Sequence, residues 1–265
     1  MSALQKLLKA QFHHQSRLCI GLDSELSKIP IHIRNHEDAL LEYNREIIFS
    51  TQQYACAYKL NTAFYEQYGS KGWNILKDSV SSIPQDILSI ADAKRADIGN
   101  TSSAYAKAVF QDLQCDAITV NPYMGYDSLA PFLEYDNKMV IVLALTSNPG
   151  SADFQRLMCN GKPLYKHVVE TVLSWKRNAD IGFVIGATHP TELSELRTMA
   201  PDIPFLIPGI GAQGGDIEAT MKSNANGPVM INVSRGIQYA GDSIDFGEKA
   251  NNAAKEYCQK IGYIS

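Results

Sequence analysis

Ser89-Ile90-Ala91-Asp92-Ala93-Lys94-Arg95-Ala96-Asp97-Ile98-Gly99-Asn100-Thr101 reads as a buried strand that runs straight into charge. Side chains two apart on a strand share a face, so Asp92 and Lys94 are expected to project together as the strand ends. Asp97 follows where the chain has turned into a loop, and a helix is expected from Thr101, capped by Asn100 or Thr101. A lysine flanked by carboxylates keeps its proton, which makes it a candidate proton donor. A structural ion pair at a strand end would carry the same residues, and the Asp-x-Lys spacing alone leaves both readings open.

The strand–loop–helix unit repeats on both sides of this stretch. Strands are expected over 17–22, 55–60, 87–94, 117–120, 139–145, 181–185, 205–207 and 229–233, with helical patterns between them. About eight such repeats predict one (β/α)8 barrel, the TIM-barrel architecture, over residues 1–265, preceded by a short amphipathic helix in 1–16. A doubly wound open sheet is the structural alternative. Asp23, Lys59, Asp92, Lys94, Asn121, Ser147, Thr188 and Arg235 all fall at or just past the C-terminal ends of expected strands. In a barrel that is the face on which the loops converge into a site.

Composition narrows the chemistry. A net charge of -4 over 265 residues gives no general attraction to nucleic acid or to an anionic membrane. The five cysteines contain no Cys-x-x-Cys pair, and three of them sit in apolar runs, as small buried hydrophobes do in a reducing compartment. Of the six histidines, His13 and His14 are adjacent and so expected to face apart on a helix, while the others stand in unrelated segments. No metal site is expected. No apolar run has the length of a signal peptide or a membrane span, and a cytoplasmic location is expected.

The second informative stretch is Pro208-Gly209-Ile210-Gly211-Ala212-Gln213-Gly214-Gly215-Asp216, whose glycines let a backbone approach a ligand closely. The next strand ends in Ser234-Arg235-Gly236, where amides and a guanidinium can bind phosphate. Loops after the seventh and eighth strands hold phosphate in many barrels. The run from Gly209 to Gly214 also matches Gly-x-Gly-x-x-Gly, but no acidic ribose ligand follows it, and the match is read as accidental. Lys59 could form a Schiff base, pair with a carboxylate or reach out to water, and the sequence leaves these open. Asp23 could cap a helix or bind sugar hydroxyls. Ser147 and His189 read as loop residues.

Taken together, the chain resembles the orotidine 5'-phosphate decarboxylases over nearly its whole length. The resemblance rests on Gly21-Leu22-Asp23, on Asp92 to Thr101, on Pro208 to Asp216 and on Ser234-Arg235-Gly236. The segments Thr119 to Gly125 and Thr146 to Gly150 look like the longer bacterial branch, which often has glycine at the position of Ala96. The resemblance implies decarboxylation of orotidine 5'-monophosphate to uridine 5'-monophosphate in pyrimidine biosynthesis, without a cofactor. Lys94 would protonate C6, with Asp92, Asp97 and Lys59 completing an alternating charge network. Asp23 would hold ribose and Ser147 the pyrimidine edge. Gln213 and Arg235 would hold the phosphate, with Pro208 and Ser234 also contacting substrate. Asp97, Ile98 and Thr101 would serve the neighbouring subunit's site, implying a homodimer.

Two rivals stay in view. Metal-dependent sugar-phosphate decarboxylases and aldolases share Asp-x-Lys, but that branch typically has glutamate at the position of Lys59. The other rival is a nucleotide-binding barrel that has lost its chemistry. A fused orotate phosphoribosyltransferase would need a further domain, for which these residues leave no room.

Overall fold

The computed structural model describes residues 1–210 and 215–263. Eight parallel strands close a barrel: β1 (Leu18–Gly21), β2 (Ala57–Asn61), β3 (Leu88–Arg95), β4 (Ala117–Val120), β5 (Met139–Leu145), β6 (Asp180–Ile185), β7 (Phe205–Ile207) and β8 (Val229–Val233). They stand around the barrel in chain order, with β1 pairing both β8 and β2. The closed ring excludes the open-sheet alternative. The strands are largely apolar because both faces are covered, by helices outside and by neighbouring strands inside. Four of the bounds expected from sequence, for β4, β5, β7 and β8, match those observed.

Elsewhere the differences have local causes. The helical pattern of 64–80 is two helices, Ala63–Glu66 and Gly69–Ser81, because Gly69 takes a left-handed φ of 63° between them. The helix after β3 spans Gly99–Lys107 and starts from Ile98, so neither Asn100 nor Thr101 caps it. Its last turn widens into a π-turn over Ala108–Asp112. A small antiparallel hairpin, Met158–Cys159 with Lys162–Pro163, was not foreseen.

The N-terminal helix, Ala3–His14, closes the floor of the barrel. It opens with a capping box between Ser2 and Gln5. Ala3, Leu7 and Ala10 pack onto Cys19, Cys56, Ala57 and Leu88 at the strand starts. Three polar contacts stitch it to strands far away in sequence. The Leu4 amide donates to Asp180 (2.8 Å), Lys6 Nζ pairs with Asp116 (2.7 Å), and Gln11 Nε2 donates to the Val229 carbonyl (2.6 Å). Among the described residues, no helix is long and apolar enough to cross a membrane.

Candidate active site

The opposite end of the barrel opens into a cavity of about 660 Å³. Its charged end is built by adjacent strands. β2 and β3 pair with Asn61 beside Asp92, which places Lys59 and Asp92 on the inner wall near the rim. Lys59 is 4% exposed and Asp92 8%. Lys59 Nζ lies 2.8 Å from Asp92 Oδ2 and 3.6 Å from Asp23 Oδ1, and Lys94 Nζ lies 2.6 Å from Asp92 Oδ1. Charges of alternating sign therefore run Asp23, Lys59, Asp92, Lys94 across the mouth. Of the three readings left open for Lys59, the geometry selects pairing with carboxylates.

Burial by itself would lower the pKa of Lys59, but Asp23 and Asp92 outweigh it and hold the ammonium above its ordinary value. Burial would likewise raise Asp92, yet Lys59 and Lys94 keep its carboxylate well below the usual range. Thr119, a β4 residue that sequence reasoning passed over, completes the Asp92 environment. Its hydroxyl donates to Asp92 Oδ1 (2.8 Å) and accepts from the Lys94 amide (3.0 Å). A β-branched residue inside a strand carries no outward sign of such a role.

Lys94 sits at a left-handed φ of 50°, where the pairing of β3 with β4 shifts register between Ala91 and Arg95. A non-glycine residue pays a steric cost there of roughly 1 kcal/mol or more. The irregularity re-aims the side chain beyond what simple strand alternation provides. The Lys94 side chain lines the cavity and remains about half exposed, while its ammonium is paired with Asp92. Arg95 turns elsewhere, to Glu66 and over the Tyr105 ring.

Asp23 caps no helix. Its Oδ1 atom is buried without a hydrogen-bond partner, leaving acceptor capacity toward the cavity. Ser147 lines the wall, and Gly186 lets its backbone pass close by: a Cβ at 186 would lie 2.8 Å from the Ser147 Cα. Pro208, Ser234 and Arg235 line the same cavity. Gly209 takes a φ of 100°, and its carbonyl accepts from the Gly215 amide at 3.1 Å, so the ends of this loop are pinned together. The Arg235 side chain is exposed and makes no hydrogen bond or ion pair among the described residues. Gln213 lies outside the described residues.

Other expected residues fall outside the cavity. Asp97, Ile98 and Thr101 do not line it, and Asp97 accepts only from the Ile98 amide, at 2.8 Å, among the described residues. Asn121 instead caps the turn Pro122–Met124. His189, taken as a loop residue, precedes the helix Pro190–Met199 and lies 3.0 Å from Arg156.

Comparison with known proteins agrees along the whole chain. The family model for "Orotidine 5'-phosphate decarboxylase / HUMPS family" matches residues 16–250. A protein named orotidine 5'-phosphate decarboxylase from Dehalococcoides mccartyi is 48% identical, over 99% of this chain and 98% of that one. One of the same name from Flavobacterium johnsoniae is 47% identical, over 98% of this chain and 97% of that one. The solved structure of Leishmania donovani OMP decarboxylase superposes with a TM-score of 0.86 at 39% identity, covering 98% of both chains. With a barrel of the same form and a match of this extent, the chain belongs to the orotidine 5'-phosphate decarboxylase / HUMPS family.

Proposed function

We propose that this protein is an orotidine 5'-phosphate decarboxylase, converting orotidine 5'-monophosphate to uridine 5'-monophosphate for pyrimidine biosynthesis without a cofactor. The observation that carries the reading is the alternating Asp23–Lys59–Asp92–Lys94 row in a cavity that Arg235 also lines.

Cleavage of the C6–carboxylate bond releases CO₂ and leaves the electron pair on C6. An adjacent fixed ammonium stabilises that developing charge, and Lys94 then donates its proton to C6. The resulting amine recovers a proton from solvent. Asp92, held by Lys59, Lys94 and Thr119, fixes the ammonium and needs no reorganisation as charge develops. Asp23 accepts from ribose hydroxyls, Ser147 meets the pyrimidine edge, and Pro208, Gln213, Ser234 and Arg235 take the phosphate end. Binding energy gained there holds the reacting centre against Lys94. Lys59 already occupies the carboxylates that a divalent cation would need, which favours this reading over metal-assisted sugar-phosphate chemistry.

Asp97, Ile98 and Thr101 serve the site of a second copy in a homodimer. Their position beside the cavity rather than in it supports this, as does the apolar surface at the same end, where Ile98, Tyr123 and Met124 are 57%, 83% and 46% exposed.

The direct test is loss of the substrate's ultraviolet absorbance on adding purified protein, with and without a chelator. Turnover that survives the chelator is expected. Turnover that requires magnesium, or its complete absence in folded protein, would overturn the reading. Mixing inactive Asp97→Ala chains with inactive Lys94→Ala chains tests the shared site separately. Full exchange of subunits should restore about a quarter of the sites, because only the mixed dimer contains an intact one.

A further inference from the structure

His13 and His14, adjacent and expected to face apart on a helix, meet in the structure. They are the last two residues of the helix Ala3–His14, which ends at Gln15 with a left-handed φ of 49°. Their rings meet edge to face with centroids 4.8 Å apart. Asp86, in the segment leading into β3, joins them, and one ligand atom from each of the three lies within 4.8 Å of the others.

We propose that His13, His14 and Asp86 bind a first-row divalent transition-metal ion, clamping the floor helix to the segment that leads into β3.

Two observations carry this. First, His14 Nε2 is sealed from solvent with no hydrogen-bond partner, and Asp86 Oδ2 stands 3.9 Å away, beyond hydrogen-bond reach. A buried ring nitrogen without a partner calls for an explanation, and an ion between the two groups supplies one. Second, the pair terminates a helix, where the carbonyl end of the dipole favours a cation.

The donor set selects the ion. Two imidazoles and a carboxylate suit zinc, cobalt, nickel or copper, whereas magnesium and calcium prefer all-oxygen sites. Metal–ligand bonds of about 2.0–2.1 Å draw tetrahedral donors to roughly 3.3 Å from one another. His13 is exposed and the Asp86 side chain is 52% exposed, so both have room to rotate toward an ion held by His14. The site lies at the floor, at the far end of the barrel from the cavity.

Zinc titration of the chelator-stripped, tag-free full chain, by calorimetry and thermal denaturation, tests the proposal. One ion per chain is expected, with a melting temperature that climbs with zinc concentration. His14→Ala and Asp86→Asn should each weaken binding by about tenfold or more. Asp86→Asn changes only an exposed side chain of the same shape, so it separates lost binding from lost folding. Binding of equal strength in both variants would place the ion elsewhere, and no binding at about 1 mM zinc would reject the site.

Discussion

At the floor of the barrel Arg197 is 5% exposed and commits its guanidinium to five oxygens: Asn224 Oδ1 and the carbonyls of Ala200, Pro201, Ile203 and Pro228. At the mouth Lys59, 4% exposed, stands between two carboxylates that also face the cavity. Both are buried cations, and both burials are compensated. The difference is what remains. Around Arg197 the donors are matched and the ring of Phe205 covers the guanidinium at 3.6 Å, so the group ties the loops before β7 and β8 and does nothing else. Burial lowers its pKa to about 10, where it is still charged at neutral pH. At the mouth, Asp23 keeps a buried oxygen without a hydrogen bond, Lys94 keeps half its side chain open and Arg235 keeps its donors. Surplus capacity, not burial, marks the site.

That contrast can be broken by mutation. Lys94→Ala should lower turnover by about 10³-fold or more while nucleotide binding persists, because it removes the proton donor and its charge together. Absorbance assays and a titration with uridine 5'-monophosphate check both halves, and a near-normal rate would remove Lys94 from the chemistry. Arg197→Met should cost about 3 kcal/mol in urea unfolding by orphaning buried carbonyls, with kcat/KM unchanged. An activity loss without a stability loss would erase the distinction between the two ends. Arg235→Ala should weaken phosphate binding by about 2 kcal/mol, read as a raised KM, and leave stability within about 0.5 kcal/mol.

The smallest effect sharpens the comparison by pH. Asp92 has a depressed folded pKa, so its stabilisation is present above the unfolded value near 3.8 and is lost as pH falls through the folded one. Lys59 has a raised pKa, so its share is present below about 10.5 and is lost only at higher pH. The stability gap between the protein and Asp92→Asn should therefore be flat from about pH 5 to 9 and narrow below about pH 4. A gap that changes near neutral pH would mean another group controls it.

Much of the frame was legible because barrel strands are covered on both faces. Met139–Leu145 is an unbroken apolar run and Val229–Val233 is broken only by Asn232, and chain order then fixes which loops meet. The charged residues were legible for the same reason, since a lysine or aspartate interrupting such a run stands out. What stayed hidden depends on backbone geometry or on partners distant in sequence. Nothing in Ala93-Lys94-Arg95 announces a left-handed φ at Lys94. Thr119 looks like any strand threonine until β3 and β4 pair beside it. The Met158–Pro163 hairpin is too short and exposed to show alternation. The amphipathic pattern of the first helix was visible, but not the strand starts it would seal.

That floor helix also constrains the order of folding. Its contacts join Leu4 to Asp180 and Gln11 to Val229, separations of 176 and 218 residues, so they can form only once the last strands are in register with the first. Long-range contacts of this kind form late, because the entropy of closing the intervening loop must be met before they return anything. A helix that precedes every strand in the chain is thus among the last elements to find its place. Its docking reports that the ring has closed, and its release would be the earliest sign that the ring is opening.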